Sequence, residues 1–84
     1  MKDIISELQQ NQGEKLFVCL DTISNITVYA TIESYSIMVY DTVFMISGEN
    51  NEEYQFTTNG WVFDEEEYEW CYQDEYVTCS IGIV

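Results

Sequence analysis

Histidine, arginine and proline are absent from these 84 residues, and the only basic side chains are Lys2 and Lys15. Without histidine or arginine there is no imidazole base beside a serine or cysteine, no guanidinium to clamp an anion, and no histidine ligand for zinc. A glycine-rich phosphate loop is also missing. The chain therefore does not read as an enzyme, and no cofactor is expected. Its three cysteines, Cys19, Cys71 and Cys79, are odd in number and widely spaced without a CxxC pair, so they read as buried thiols rather than as a disulfide or metal site. No run reaches the roughly 18 to 20 apolar residues of a transmembrane helix, and the start of the chain lacks the basic-then-apolar layout of a signal peptide. The expectation is a cytosolic protein with no membrane partner. No proline-rich linker, repeat or composition break divides it, which leaves one domain over residues 1–84.

What is present is carboxylate. Sixteen acids against two lysines give a formal charge of −14, and from Leu16 to Val84 there is no basic residue at all. A field of one sign repels itself and opposes compaction, so the imbalance calls for a strongly basic partner and excludes direct binding of nucleic acid by this chain. With 46% hydrophobic residues, seven Tyr, four Phe and two Trp, the sequence is too apolar for an acidic disordered tail.

Helix signals come first. Ile4, Ile5 and Leu8 stand at helical spacing within Asp3 to Gln10, and Asn11-Gln12-Gly13 is a stop. Leu16 to Leu20 and Ile26 to Ile32 read as paired strands, the second with Ile26, Val28, Ala30 and Ile32 on a core face. Tyr35 to Tyr40 and Val43 to Ser47 are β-branched and aromatic runs parted by Asp41-Thr42, and Gly48 to Asn51 turns the chain before Tyr54 to Thr58. Asn59-Gly60 is the strongest turn signal. Val77, Cys79, Ile81 and Ile83 alternate in a closing strand. The predicted class is α+β: a small single domain on an antiparallel sheet, with a short N-terminal helix and an acidic helix before the C-terminal strand.

That acidic helix is placed at Asp64 to Glu75, which holds seven of the sixteen acids. Asp64 and Glu67 fit a capping box, with Glu65 and Glu66 set against the positive end of the helix dipole. On a helical wheel Tyr68, Cys71, Tyr72 and Tyr76 share one side, while Glu66, Glu67, Glu69, Gln73 and Asp74 share the other. Trp70 stands among the acids and reads as an interface anchor, the alternative being that it folds back onto the sheet and the acids are a solvated face. Neither this segment nor Glu49 to Glu53 has the loop spacing of a calcium site, so no metal is expected. A helix rising about 1.5 Å per residue with acids at most positions approaches the charge density of a duplex, roughly one per 1.7 Å. It would suit a nucleic-acid channel.

Two regions resemble the small type II-A anti-CRISPR inhibitors of Listeria prophages. Asp3-Ile4-Ile5-Ser6-Glu7-Leu8 is similar to the opening of that family's first helix. Asn59-Gly60-Trp61, then Asp64-Glu65-Glu66-Glu67-Tyr68, then Tyr72-Gln73-Asp74, are similar to its Asn-Gly-Trp, Asp-Glu-Glu-Glu-aromatic and Tyr-Asn-Asp elements, in the same order. The family's middle helix has no counterpart before Asn59, and Trp70 and Cys71 are extra. The resemblance implies a small α/β fold and a DNA mimic, encoded by a phage or prophage and acting in the bacterial cytoplasm. Its partner would be a guide-loaded type II CRISPR effector nuclease. Asp64 and Glu65 would meet the arginines that read the PAM, with Asp74 and Glu14 in support and Asn50, Asn51 and Glu52 in a loop facing the nuclease domain. Two other readings use the same charge: a DNA mimic aimed at another defence or repair enzyme, and an immunity protein or antitoxin against a basic nuclease toxin. A monomer is expected.

Overall fold

The computed structural model describes residues 3–84. Its first element is helix α1, Ile4–Gln10, entered through Asp3, whose Oδ2 accepts hydrogen bonds from the Ser6 backbone N–H at 3.2 Å and the Ser6 hydroxyl at 2.9 Å. This satisfies donors that the first helical turn leaves unpaired. Asn11 ends the helix by donating its backbone N–H to the Glu7 carbonyl. Ile4 and Leu8, one turn apart, are buried.

Eight strands succeed it: β1 Leu16–Thr22, β2 Thr27–Ile32, β3 Ser36–Tyr40, β4 Val43–Ser47, β5 Glu53–Thr57, β6 Val62–Asp64, β7 Glu69–Gln73 and β8 Val77–Ile83. They form two antiparallel sheets, one of five strands in the order β2-β1-β8-β7-β6 and one a meander of β3-β4-β5. In the large sheet Ala30, Val18, Ile81, Trp70 and Phe63 line up across the strands by register. Val18, Ile81 and Trp70 of that row are buried together with Ile37, Phe44 and Ile46 of the small sheet and with the helix residues, in one core. The chain passes between sheets at Asn59-Gly60. Gly60 has φ +92, and a Cβ there would lie 3.0 Å from the Tyr72 ring, so the predicted turn residue also permits a close crossing. At the end of β4, Gly48 packs so tightly on Ile32 that a Cβ would fall 2.7 Å from its Cγ2.

The acidic helix is not formed, and the predicted α+β class with it gives way to a mostly β domain whose helix is α1 alone among the described residues. Asp64 to Glu75 is instead a hairpin, β6 and β7 paired through Asp64↔Glu69, Phe63↔Trp70 and Val62↔Cys71, and then the turn into β8. Asp64 does not cap a helix: its Oδ1 accepts from the backbone N–H groups of Glu66 at 3.0 Å and Glu67 at 3.2 Å within the hairpin turn. Tyr68 then enters the left-handed region at φ +57, which reverses the chain. Two physical terms favour this outcome. In a helix Glu65 and Glu66 would each sit one turn from Glu69 with no cation between them, a destabilising arrangement; and Trp70-Cys71-Tyr72 are strand formers whose alternation puts Trp70 and Tyr72 on the inner face.

Trp70, expected as an exposed anchor, is only 2% exposed. It packs on Phe63 with ring centroids 5.1 Å apart, and its indole Nε1 has no hydrogen-bond partner. The proposed core face of β2 is also corrected: Ile32 is buried, but Ile26 and Val28 are exposed, because β2 is the outermost strand of its sheet. Cys79 is buried on the inner face, whereas Cys19 and Cys71 are half-buried and flank Ser80 on the outer one. Two strand spacings part Cys19 from Cys71, roughly 9 to 10 Å, beyond the reach of a disulfide. Burial raises all three thiols, Cys79 to about 12.

Tyr35 ties the helix to the small sheet. Its ring is 1% exposed, its hydroxyl donates to the Leu8 carbonyl at 2.7 Å, its N–H donates to the Glu14 carbonyl and its own carbonyl accepts from Gly13. Gln12 adds a side-chain acceptor for the Ile37 N–H at 3.1 Å. Burial, with Glu14 and Glu7 nearby, pushes the phenol from 10.0 to about 12.

Two consequences are measurable. Trp70→Ala should lower the free energy of unfolding by about 3–5 kcal/mol in urea titrations, the cost of emptying a large core site; a loss below about 1 kcal/mol, the scale of a surface change, would mean that the ring is not packed as described. The Tyr35 phenol is raised in the folded state, so its contribution is complete below the unfolded value near 10 and is lost as pH climbs towards 12. Tyr35→Phe should therefore be less stable than the parent at neutral pH, by about 1 kcal/mol for the lost hydrogen bond. The gap should narrow above pH 10. A gap independent of pH would remove the phenol from the linkage.

Candidate functional site

Strand register sorts the carboxylates to the two ends of the large sheet. Leu16 pairs with Ile32 and Ile83, and Trp70 with Ile81, so the start of β1, the ends of β2 and β8 and the β6–β7 loop share one end. That end carries Glu14, Glu33, Asp64, Glu65, Glu66, Glu67 and Glu69. The β4–β5 turn with Glu49 to Glu52 is anchored to the same end by Gly48 against Ile32. Asp21 and the β7–β8 turn with Asp74 and Glu75 lie at the opposite end, where the Ile23 N–H donates to the Tyr76 carbonyl.

Of the residues singled out from sequence, Asp64, Glu65, Glu66, Glu67, Glu69, Glu14, Asn50, Asn51 and Glu52 are thus brought to one end, Asp74 is carried to the other, and Trp70 is withdrawn into the core. The segment splits because a strand spreads residues about 3.3 Å apart along one direction, where a helix would have stacked them on a face. Glu65, Glu66 and Glu67 occupy the exposed tip. Glu69 is half-buried; burial first, then Glu67 and Asp64, raise its carboxyl, against a hydrogen bond to Ser80 that lowers it. Lys15 is the only cationic side chain among the described residues, and it sits on Glu33 at 3.3 Å with both side chains largely exposed. Such a pair adds little stability. The rim is therefore a row of carboxylates with scant internal neutralisation.

Not every acid on it is free for a partner. Glu52 turns its Oε1 back to the Asn50 N–H at 3.2 Å and accepts the Gly48 N–H on its carbonyl, while Asn51 takes φ +61; these residues build the β4–β5 turn. Among the described residues no three acids or cysteines converge as ligands for a metal ion, and no helix is long and apolar enough to cross a membrane. The chemistry available at the rim is hydrogen-bond acceptance by charged oxygens. Guanidinium and ammonium groups are its natural counterparts.

At the far end a cavity of about 330 Å³ opens between the sheets, lined by Tyr54, Phe56, Trp61, Tyr72 and Asp74 over Leu20 and Cys79. Sequence reasoning missed it. The alternation of Tyr54 with Phe56, and of Trp70 with Tyr72, marks inward-facing aromatics, but only the packing of one sheet on the other turns them into walls.

Compared with protein-family models, with curated proteins and with solved structures, the chain matches none.

Proposed function

We propose that this chain is an inhibitor that mimics nucleic acid: it lays its carboxylate rim in the basic groove of a nucleic-acid-binding protein and competes with the natural ligand. The observation that carries this reading is the concentration of Glu14, Glu33 and Asp64 to Glu69 at one end of the sheet, with Lys15 as the sole cation beside them among the described residues. From β2 to β6 the rim crosses four strand spacings, roughly 19 Å. That exceeds a major groove of about 12 Å, so its flanks can stand where phosphates on either side of a groove would stand.

The target we propose is the guide-loaded type II CRISPR effector nuclease, at the arginines that read the PAM. It rests on the order of Asn59-Gly60-Trp61, Asp64 to Tyr68 and Tyr72-Gln73-Asp74 along the chain. The helical charge spacing no longer contributes, since those acids ride on a hairpin. Glu65, Glu66 and Glu67 at its exposed tip take the leading role. Trp70 and Asp74 leave this contact set.

Charge reversal tests the location of the contact. Glu65→Lys with Glu66→Lys should cost about 2–5 kcal/mol of binding to the nuclease, whereas Asp21→Lys with Asp41→Lys, in β1 and in the β3–β4 turn away from the rim, should cost far less, with folding checked by circular dichroism. Equal losses would show that net charge alone matters.

Salt and order of addition test the mode. Association measured by stopped flow should slow steeply between about 50 and 500 mM salt, as the Debye length falls below about 10 Å. Cleavage should be blocked when the protein is added before PAM-bearing DNA and scarcely affected when it is added after, because the bound DNA already fills the site. Equal inhibition in both orders would place the contact at the nuclease centre instead.

A further inference from the structure

We infer that the cavity between the sheets is a socket for an arginine side chain presented by the basic partner. Its walls are aromatic: Phe56 meets Trp61 edge-on with centroids 5.8 Å apart, Trp61 leans on Tyr72 at 5.4 Å, and Tyr54 stacks on Phe56 at 6.5 Å. Hydrogen bonds fix the two rings nearest the sheet crossing. The Trp61 indole N–H donates to the Thr57 carbonyl at 2.7 Å and the Tyr72 hydroxyl to Asp74 Oδ2 at 2.8 Å. The polar atoms of Trp61 and Tyr72 are thus engaged with the protein, while both rings line the cavity.

Asp74 closes the argument for charge. Its Oδ1 accepts from the Tyr76 N–H at 2.7 Å and the Val77 N–H at 2.9 Å, and the bond from Tyr76, with those from Tyr72 and Val77, holds its carboxyl below the usual range. It therefore stays ionised at the cavity mouth. Three donors leave room on a carboxylate for a further one. An aromatic box with a fixed anion at its rim, on a chain of charge −14, selects a cation with an apolar or planar body. Arginine suits it better than lysine, because guanidinium is weakly hydrated and stacks on aromatic faces, while one of its N–H groups takes the acceptor site left on Asp74. A volume of about 330 Å³ falls at the small end of ligand pockets, which run from about 300 to 1,000 Å³. That is room for one side chain.

The socket rests on the proposed basic partner for the origin of the arginine, but the pocket can be probed without it. Nα-acetylarginine methylamide, titrated at constant ionic strength and followed by proton–nitrogen correlation NMR, should shift the Trp61 indole N–H saturably in the millimolar range. The neutral isostere Nα-acetylcitrulline methylamide and the variant Asp74→Asn should each weaken that response about tenfold. The lysine analogue should fall between. Equal response to arginine and citrulline overturns the proposal, as does an arginine response that never saturates and is confined to the Glu65 to Glu67 amides. Failure of the competition with DNA would sink the inhibitor reading and leave this titration untouched, whereas a blank titration removes the socket alone.

Discussion

The buried side chains come from α1 and from both sheets and meet in one cluster, and that shared apolar contact is the interaction on which the rest depends. Neutralisation cannot substitute for it. The described ion pair, Lys15 with Glu33, is exposed and adds little, while the carboxylates repel one another. Cohesion must then come from apolar burial, at roughly 25 cal/mol per Å² removed from water, and from the paired backbones of the two sheets. Among the described residues no charged side chain is found in the core, as the high cost of burying an unpaired carboxylate requires.

This constraint also arranges the surface. Because the inner faces belong to Leu16, Val18, Trp70, Ile81 and their partners, the acids are displaced to strand ends, turns and the outer face. The β6–β7 tip gathers the densest group of them, held by the Asp64 carboxylate and by Tyr68 against Phe63, edge to face at 5.2 Å. The same separation of apolar interior from charged ends leaves the inter-sheet gap lined with aromatics at one end and a charged rim at the other. On the proposed reading a basic partner uses both, the rim for steering and breadth, the gap for a single anchored side chain.

Local sequence was sufficient where local physics decides. Asp3 with Ile4 and Leu8 made α1 legible, the alternation in Val77 to Ile83 made β8 legible, and Asp41-Thr42 between two β-branched runs marked the β3–β4 hairpin, with Asp41 at φ +49. The acidic segment misled because Asp64 offers its carboxylate to the N–H groups of Glu66 and Glu67 in a hairpin turn much as it would at a helix start. A helix and a hairpin diverge only beyond Glu67. There Tyr68 turns left-handed, and Trp70 finds a place across from Ile81, a partner eleven residues away in sequence.

Composition by itself determined that the chain is one-signed and that its core must be wholly apolar, since charge counts and hydrophobic content need no fold to be read. The tertiary structure alone decided that Trp70 serves the core rather than a partner, that Asp74 parts company with Asp64 to Glu69, and that Tyr54, Phe56, Trp61 and Tyr72 enclose a cavity. The physical reason is common to all three. Each depends on which strand lies beside which and how one sheet covers the other, and those non-local pairings are selected by total burial rather than by any neighbour along the chain.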